Sequence, residues 1–433
     1  MMSANGNTAE LDFLGRPVIA ITGLGLVSSL GRGVDDNWDA LSSGRSGIHR
    51  IERFSTDSLR TTISGSVDFM GPGSETSTGL SYMMAEAAGS EAVRMAGLAD
   101  DDFGGPLFLA APPVEMEWQH RLALDAMDGA TIEEAGYDRL LQIARSRPDK
   151  AIYNLTQCSR ISELLADRLG TRGLPITLST ACASGASAIQ LGVEAIRRGE
   201  TDRAIAIGTD GSITQESLIR FSLLSALSTN NEYPEKASKP FSKDREGFVM
   251  AEGAGALVLE SLSAAKARGA KILGVIHGCG ERADDFHRTR SKPDGSPIIA
   301  TIAAGIADAG MEPSDIDYIN AHGTSTPEND RMEATGLAAV FGEALKTTPI
   351  SSNKSMIGHT LTAAGAIEAV FSVLSIQNGL LPPTINYEVP DPAIELDTVP
   401  NKARPAEIAT VLSNSFGFGG QNACLVIGRE PRH

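Results

Sequence analysis

The 433-residue chain carries 54 acidic against 37 basic side chains, a formal charge of −17, and 42% apolar residues. That length and apolar content suffice for one large or two medium domains with a substantial core, and the acidity argues against non-specific binding to nucleic acid or anionic membrane. No run approaches the roughly 18 uninterrupted apolar residues of a membrane span, and the N-terminus lacks the basic and apolar blocks of a secretory leader. Cys158, Cys182, Cys279 and Cys424 lie far apart without C-x-x-C spacing, so neither a disulfide framework nor a thiolate zinc site is indicated. A soluble protein of the reducing cytoplasm is expected, with no stable membrane insertion.

In chain order, residues 1–15 are polar and aperiodic and are expected to be a poorly ordered tail. Pro17 to Gly23 then has the pattern of a buried strand ending in glycine. Gly23-Leu-Gly25 is a fragment of a dinucleotide fingerprint without its third glycine or its acidic ribose ligand, so that function is not supported. Gly71 to Gly79 is a loop by composition, and Leu80 to Leu98 alternates small and apolar residues at helical spacing.

Further along, the apolar run Pro175 to Leu178 leads into Ser179-Thr-Ala-Cys182-Ala-Ser-Gly185. Ala186, Ile189, Val193 and Ile196 then give one apolar helix face from about Ser184, and Arg197-Arg198-Gly199 makes a favourable helix end. Arg203 to Gly208 reads as the next strand. Strand, turn, helix and strand imply a parallel α/β layer with the thiol at a strand's carboxyl end, where open sheets place their sites. Ala363 to Gly379 repeats the spacing of Ser184 to Gly199, with small residues first, an apolar stripe and a terminal glycine. The repeat indicates an internal duplication with its seam near Ser261 to Lys271, giving halves of 16–265 and 266–433.

Cys182 at a helix N-terminus is expected to favour the thiolate, because unpaired N–H groups and the helix dipole stabilise negative charge there. His322, in Asn320-Ala-His-Gly-Thr-Ser-Thr326, and Lys354 and His359, in Ser352-Asn-Lys-Ser-Met-Ile-Gly-His359, complete a set suited to acyl-thioester chemistry. The other cysteines read as inert core residues. His49, His120, His277, His287 and His433 read as structural or surface groups. A metal held by His322 and His359 needs a third ligand and an open position, and the flanking residues carry no metal-binding pattern.

With these residues in hand, the chain resembles the β-ketoacyl-acyl-carrier-protein synthases, the elongating condensing enzymes, from about Pro17 to Ile427. Beyond the Cys and His motifs, the resemblance rests on Ala226-Leu-Ser-Thr229, Lys239 to Phe248, Glu252 to Ala256, Leu381-Pro-Pro-Thr-Ile-Asn386 and Asn414-Ser-Phe-Gly-Phe-Gly-Gly420. It implies a duplicated thiolase-like α-β-α-β-α five-layered sandwich, a homodimer, and the Cys-His-His elongating class over the Cys-His-Asn initiating one. It further implies that Cys182 accepts the acyl chain, with the N–H groups of Cys182 and Phe418 as oxyanion hole; loss of one such donor costs about 3 kcal/mol. His322 and His359 would donate to the malonyl thioester carbonyl during decarboxylation, each presenting a protonated nitrogen. Lys354 paired with Glu368 would orient and tune them, and Phe418, between Gly417 and Gly419, would gate the acyl site. Thr324 and Thr326 would bond the phosphopantetheine arm of acyl carrier protein, which delivers both substrates; no other cofactor is implied.

Several positions depart from the family pattern. Ala110 to Met116 reads Ala-Ala-Pro-Pro-Val-Glu-Met where relatives have a glycine-rich turn, and the stretch to Asn154 is also distinctive. The helix from Leu80 and Leu223-Leu-Ser225 lack basic residues that relatives offer to carrier proteins, and Gln421 replaces a threonine. Ordinary fatty-acid elongation is the default reading. A very-long-chain or polyketide synthase of the same chemistry, a non-condensing chain-length partner subunit and a thiol hydrolase are the alternatives. Pro112-Pro113 cannot reproduce a glycine turn, so a reshaped pocket and acyl chains of about twelve carbons or more are expected, each buried methylene contributing about 0.8 kcal/mol.

Overall fold

The computed structural model describes residues 10–113, 116–127, 136–146 and 150–431. Its first half runs β1 (Ile19–Ser28), α1 (Ser77–Met95), β2 (Leu107–Ala110), α2 (Ser159–Leu169), β3 (Ile176–Leu178), α3 (Ser184–Arg197), β4 (Arg203–Asp210) and β5 (Gly253–Ser261). The second repeats that order: β6 (Gly274–Ala283), α4 (Ser296–Asp308), β7 (Tyr318–Asn320), α5 (Pro327–Phe341), β8 (Ile350–Ser351), α6 (Ala364–Asn378), β9 (Thr410–Phe416) and β10 (Gln421–Gly428).

Sheet order exposes the duplication directly. The strands lie β8-β7-β9-β10-β6-β1-β5-β4-β2-β3, which reads the same from either end once each strand is replaced by its counterpart. The outer three strands of each half are parallel and the inner ones antiparallel. The halves join through an antiparallel contact of β1 with β6, Ile19 to Ile276, Ala20 to Val275 and Ile21 to Gly274.

Helices fill the layers between and outside. α3 and α6 pack on each other and on strands of both halves, while α1 covers β1, β4 and β5 on one outer face and α4 covers β6 and β10 on the other. The result is the expected α-β-α-β-α sandwich. Contact between the central helices is close enough to require glycine: a Cβ on Gly185 would lie 2.5 Å from the Ala366 nitrogen, and one on Gly365 2.5 Å from the Ala186 nitrogen. The glycines of the first strand have the same cause, since a Cβ on Gly25 would meet the Ala88 carbonyl of α1 at 1.8 Å.

Some expectations shift. Order extends back beyond Arg16: Asp12 accepts the Arg16 backbone N–H at 2.9 Å, Arg16 pairs with Asp308 at 2.7 Å, and Leu11 bridges to Pro17. Residues 10–15 are therefore held against the second half, and only 1–9 of the expected tail lie outside the described residues. α1 starts three residues before Leu80, at Ser77, because the Thr76 side chain caps it by accepting the Gly79 N–H. Within the distinctive stretch, residues 114–115, 128–135 and 147–149 lie outside the described set, and short helices occupy Trp118–Met127, Gly136–Ser146 and Lys150–Leu155. Among the described residues one helical run, Leu361–Asn378, is apolar and long enough to cross a membrane, and 83% of it is buried as the central helix.

Candidate active site

Cys182 sits in a 3₁₀ turn, Ala181–Ala183, at the head of α3. Ala181 is forced to φ +49°, a conformation that an alanine adopts only when its surroundings over-determine it. Ser184 supplies that constraint: its Oγ accepts the Thr180 N–H at 2.7 Å and donates to the Ala181 carbonyl at 2.6 Å. The turn thus thrusts the sulfur out of the sheet towards the cavity.

The expected thiolate is not the resting state. Burial pushes the Cys182 thiol up to about 11, outweighing the opposing pull of the Phe418 N–H, Lys354 and the cysteine's own N–H. Desolvation of the buried sulfur therefore outweighs the helix end. The backbone N–H groups of Phe418 and Cys182, expected to form an oxyanion hole, both pull the Cys182 thiol down, short of offsetting its burial.

His359 arrives from the loop preceding α6. Its Nε2 lies 3.1 Å from Cys182 Sγ, and its Nδ1 accepts the Leu361 backbone N–H at 3.2 Å. A ring nitrogen that accepts carries no hydrogen, so in the neutral ring the proton is on Nε2, facing the sulfur. His322 obeys the same logic from β7's carboxyl end: Lys354 Nζ donates to its Nδ1 at 3.3 Å. The rings stand edge to face with centroids 5.2 Å apart, backed by Phe416 at 5.9 Å from His322 and Phe248 at 5.3 Å from His359. Burial first, and the Lys354 charge second, hold both imidazoles well below 6.5, so they are neutral at pH 7.

Lys354 donates to Glu368 Oε1, both side chains being fully buried. Burial lifts Glu368 to about 7 against the pull of the ammonium. Glu333 was not anticipated. Its carboxylate takes the His322 N–H at 2.9 Å on one oxygen and the Gly323 N–H at 2.7 Å on the other, and Asn414 donates to it at 3.1 Å. Asp210 was also missed: it accepts the Thr362 hydroxyl at 2.7 Å and Ser212 N–H at 3.1 Å, bracing the turn beside Cys182.

Two cavities meet at the sulfur. One, of about 530 Å³, opens outward past His322, Thr324 and Thr326; the other, of about 150 Å³, lies behind and is lined by Pro113, Met116, Ser212 and Arg220. Cys182, Phe221, Leu361 and Phe418 line both, so the phenylalanines stand between them. Phe418 is half-buried, and Gly419 beside it has φ +89°, which only glycine adopts freely. Thr324 and Thr326 bond each other through their hydroxyls at 2.9 Å, and Thr326 also caps α5. Gln421 does not reach beneath Phe418. Its Nε2 donates to Glu281 at 2.8 Å, and only its carbonyl serves the turn, accepting the Gly417 N–H at 2.7 Å.

The missing third ligand of a metal site is present, since Cys182 and a nitrogen of each imidazole lie within 4.8 Å of one another. The tautomers oppose metal binding: with both Nδ1 atoms accepting, the facing nitrogens carry hydrogens and have no lone pair to offer.

A duplicated thiolase-type sandwich with one thiol under two neutral imidazoles defines a condensing enzyme. Comparison with known proteins agrees. The beta-ketoacyl synthase N-terminal domain family matches residues 16–96 and 129–265, and the beta-ketoacyl synthase C-terminal domain family matches 273–388. The chain is 38% identical over 417 residues to 3-oxoacyl-[acyl-carrier-protein] synthase 2 of Coxiella burnetii, covering 95% of this chain and 98% of that protein. It is 36% identical over 422 residues to the enzyme of the same name in Vibrio cholerae, covering 95% and 99%. Among solved structures it resembles a type II polyketide ketosynthase in complex with its acyl-carrier protein and bound to the hexaketide, with a TM-score of 0.85, 32% identity and coverage of 96% and 100%. The chain belongs to the β-ketoacyl synthase family.

Proposed function

We propose that this enzyme condenses an acyl group held on Cys182 with malonyl-acyl-carrier protein, giving 3-oxoacyl-carrier protein and CO₂. The observation that carries the reading is the placement of His359 Nε2 at 3.1 Å from Cys182 Sγ, with both imidazole Nδ1 atoms occupied. In the first half-reaction Cys182 sulfur attacks the acyl thioester, the tetrahedral oxyanion rests on the Cys182 and Phe418 N–H groups, and the thiol proton leaves with the carrier's pantetheine thiol. In the second, His322 and His359 donate to the malonyl thioester carbonyl as the carboxylate departs as CO₂. The enolate carbon attacks the acyl carbonyl and expels the Cys182 thiolate, which regains a proton. Two neutral N–H donors suffice for this chemistry, and no resident cofactor is assigned: the substrates ride on the carrier's phosphopantetheine arm.

Lys354, charged and paired to Glu368, keeps His322 neutral and its Nδ1 unprotonated. Thr324 and Thr326 line the outward cavity where the pantetheine amides would pass, and Gly419 gives Phe418 room to swing between the cavities. The rear cavity, at about 150 Å³, holds about five waters at ~30 Å³ each. A chain of twelve carbons or more then needs Phe418, Pro113 and Met116 to move aside. A second copy of the chain is the partner we assign to the open edge at β3, where Leu174 is 92% exposed and Ile176 47%. We place the enzyme in the cytoplasm, its domain seam at 265/266, and its pathway in fatty-acid elongation. The 32% identity to a polyketide ketosynthase favours polyketide assembly as the second reading.

Intact-mass analysis after incubation with acyl-carrier proteins of six to eighteen carbons tests these assignments together. An acyl adduct on Cys182, converted by malonyl carrier into a 3-oxoacyl thioester, is expected. Release of free acid would instead identify a hydrolase, and absence of an adduct a non-condensing partner subunit. Peak transfer at eight carbons or fewer with exclusion of sixteen would overturn the long-chain assignment.

A further inference from the structure

The outward cavity carries a charge that the rest of the molecule does not predict. In a chain of formal charge −17, three arginines, Arg288, Arg290 and Arg331, line the cavity that leads to Cys182. Arg331 is paired with Glu328 at 2.8 Å. Arg288 and Arg290 are exposed and make no ion pair with any described residue. The other acids lining the cavity are engaged: Glu246 accepts from Ser228 and Thr229, and buried Asp284 accepts two backbone N–H groups.

Those two bonds of Asp284 build the platform on which the free arginines stand. Oδ1 accepts the Phe286 N–H at 3.0 Å and Oδ2 the Lys292 N–H at 2.8 Å, closing residues 284–292 into a loop. Within it His287 Nδ1 accepts the Thr289 N–H at 3.1 Å, and the Arg288 carbonyl accepts the Gly419 N–H at 2.7 Å. A loop pinned at both ends and in the middle presents its side chains in a fixed place. By contrast, residues 71–83, where α1 begins, contain no lysine or arginine.

We propose that Arg288 and Arg290 form the docking point for the anionic root of the incoming arm, the phosphodiester on the carrier protein together with the acidic surface around it. This rests on the reading of Cys182 as the acceptor of carrier-borne acyl groups and adds to it where the carrier is held. Guanidinium groups suit the task because their planar donors match phosphate and carboxylate oxygens in pairs. Unpaired cations at the mouth of a cavity in an otherwise acidic molecule also steer an acidic partner to one side of it and speed encounter.

The test compares two acyl donors on the same enzyme: acyl-carrier protein, and an acyl-pantetheine thioester lacking both phosphate and protein. In Arg288→Glu/Arg290→Glu, acylation of Cys182 from the carrier is expected to lose about tenfold or more in kcat/KM relative to acylation from the truncated thioester. The loss should appear in KM and shrink as ionic strength rises. Arg288→Lys/Arg290→Lys should recover part of it, and Lys346→Glu, outside the cavity, should leave the ratio of the two donors unchanged. Equal effects on both donors, or none on the carrier reaction, would overturn the docking assignment. An acyl-coenzyme A donor separates the sources: loss there equal to the carrier's would reduce the site to phosphate recognition and overturn docking of the protein surface. If the unmodified enzyme acquires no acyl group from any donor, the fault lies with the condensing reading and not with the arginines.

Discussion

The two halves contain the same turn twice and use it differently. Ala181–Ala183 leads into α3 and Leu361–Ala363 into α6, each a 3₁₀ turn whose first residue is held at positive φ, +49° at Ala181 and +45° at Leu361. The second position is Cys182 in one and Thr362 in the other. Cys182 keeps its sulfur free for the cavity, whereas the Thr362 hydroxyl donates to the Thr209 carbonyl and Asp210 at 2.7 Å each. The second half instead contributes what precedes its turn: His359, whose Nδ1 is satisfied by the Leu361 N–H of that same turn. One backbone solution thus frees a thiol for the cavity in one copy and orients an imidazole towards it in the other.

Cys182→Ala breaks this contrast most completely. It should abolish acyl-enzyme formation, read by intact mass, while Cys158→Ala, Cys279→Ala and Cys424→Ala retain it; an adduct on the Cys182 variant would refute the assignment. Next come His322→Ala and His359→Ala, each expected to slow malonyl decarboxylation by roughly 10²-fold or more, with a smaller effect on acyl transfer. Equal losses in both half-reactions, measured separately by CO₂ release and by acylation, would contradict the donor role.

Lys354→Met leaves Glu368 buried beside an empty position, so denaturant unfolding should show a loss of about 3–5 kcal/mol. Lys354→Met/Glu368→Leu should regain much of it, because the double variant buries no lone charge. Acidification probes the same cluster. Both histidines titrate well below their usual 6.5 when folded, so the unfolded chain binds protons that the folded one refuses. The histidines' contribution to stability is then full above pH 6.5 and falls as pH drops below it, opposed by Glu368, whose raised carboxyl favours the folded state as pH falls below about 7. His359→Gln should flatten that fall; an unchanged pH profile would mean the imidazole is not held neutral. The smallest effect belongs to the other turn: Thr362→Val should cost about 1–3 kcal/mol of stability and leave Cys182 competent to take an acyl group.

Much of this was legible along the chain because the groups gathered at the candidate site come in short runs. Cys182, His322, Lys354 and His359 each lie in a motif of small residues, and the repeat of Ser184–Gly199 in Ala363–Gly379 announced the duplication. Glu333 and Asp210 were hidden because they act on backbone N–H or hydroxyl groups supplied by distant segments. A signal for Glu333 existed: it shares the buried face of α5 with Met332, Gly336 and Leu337, an odd place for a carboxylate without a partner. The thiol's protonation was misread for a different reason. A helix end is visible in sequence, but Leu361, Phe416 and Phe418, which line the cavity with Cys182, are connected to residue 182 by no local pattern.

The glycine contact between α3 and α6 also bears on how the molecule comes into being. During synthesis the first half emerges with its central helix lacking a partner, and His359 follows Cys182 by 177 residues. A nascent chain or truncated product therefore displays an apolar helix face and an unguided thiol with no imidazole beside it. The imidazole comes to lie beside the sulfur only when α6 closes on α3, so the thiol–imidazole pair exists only once the second half has been made.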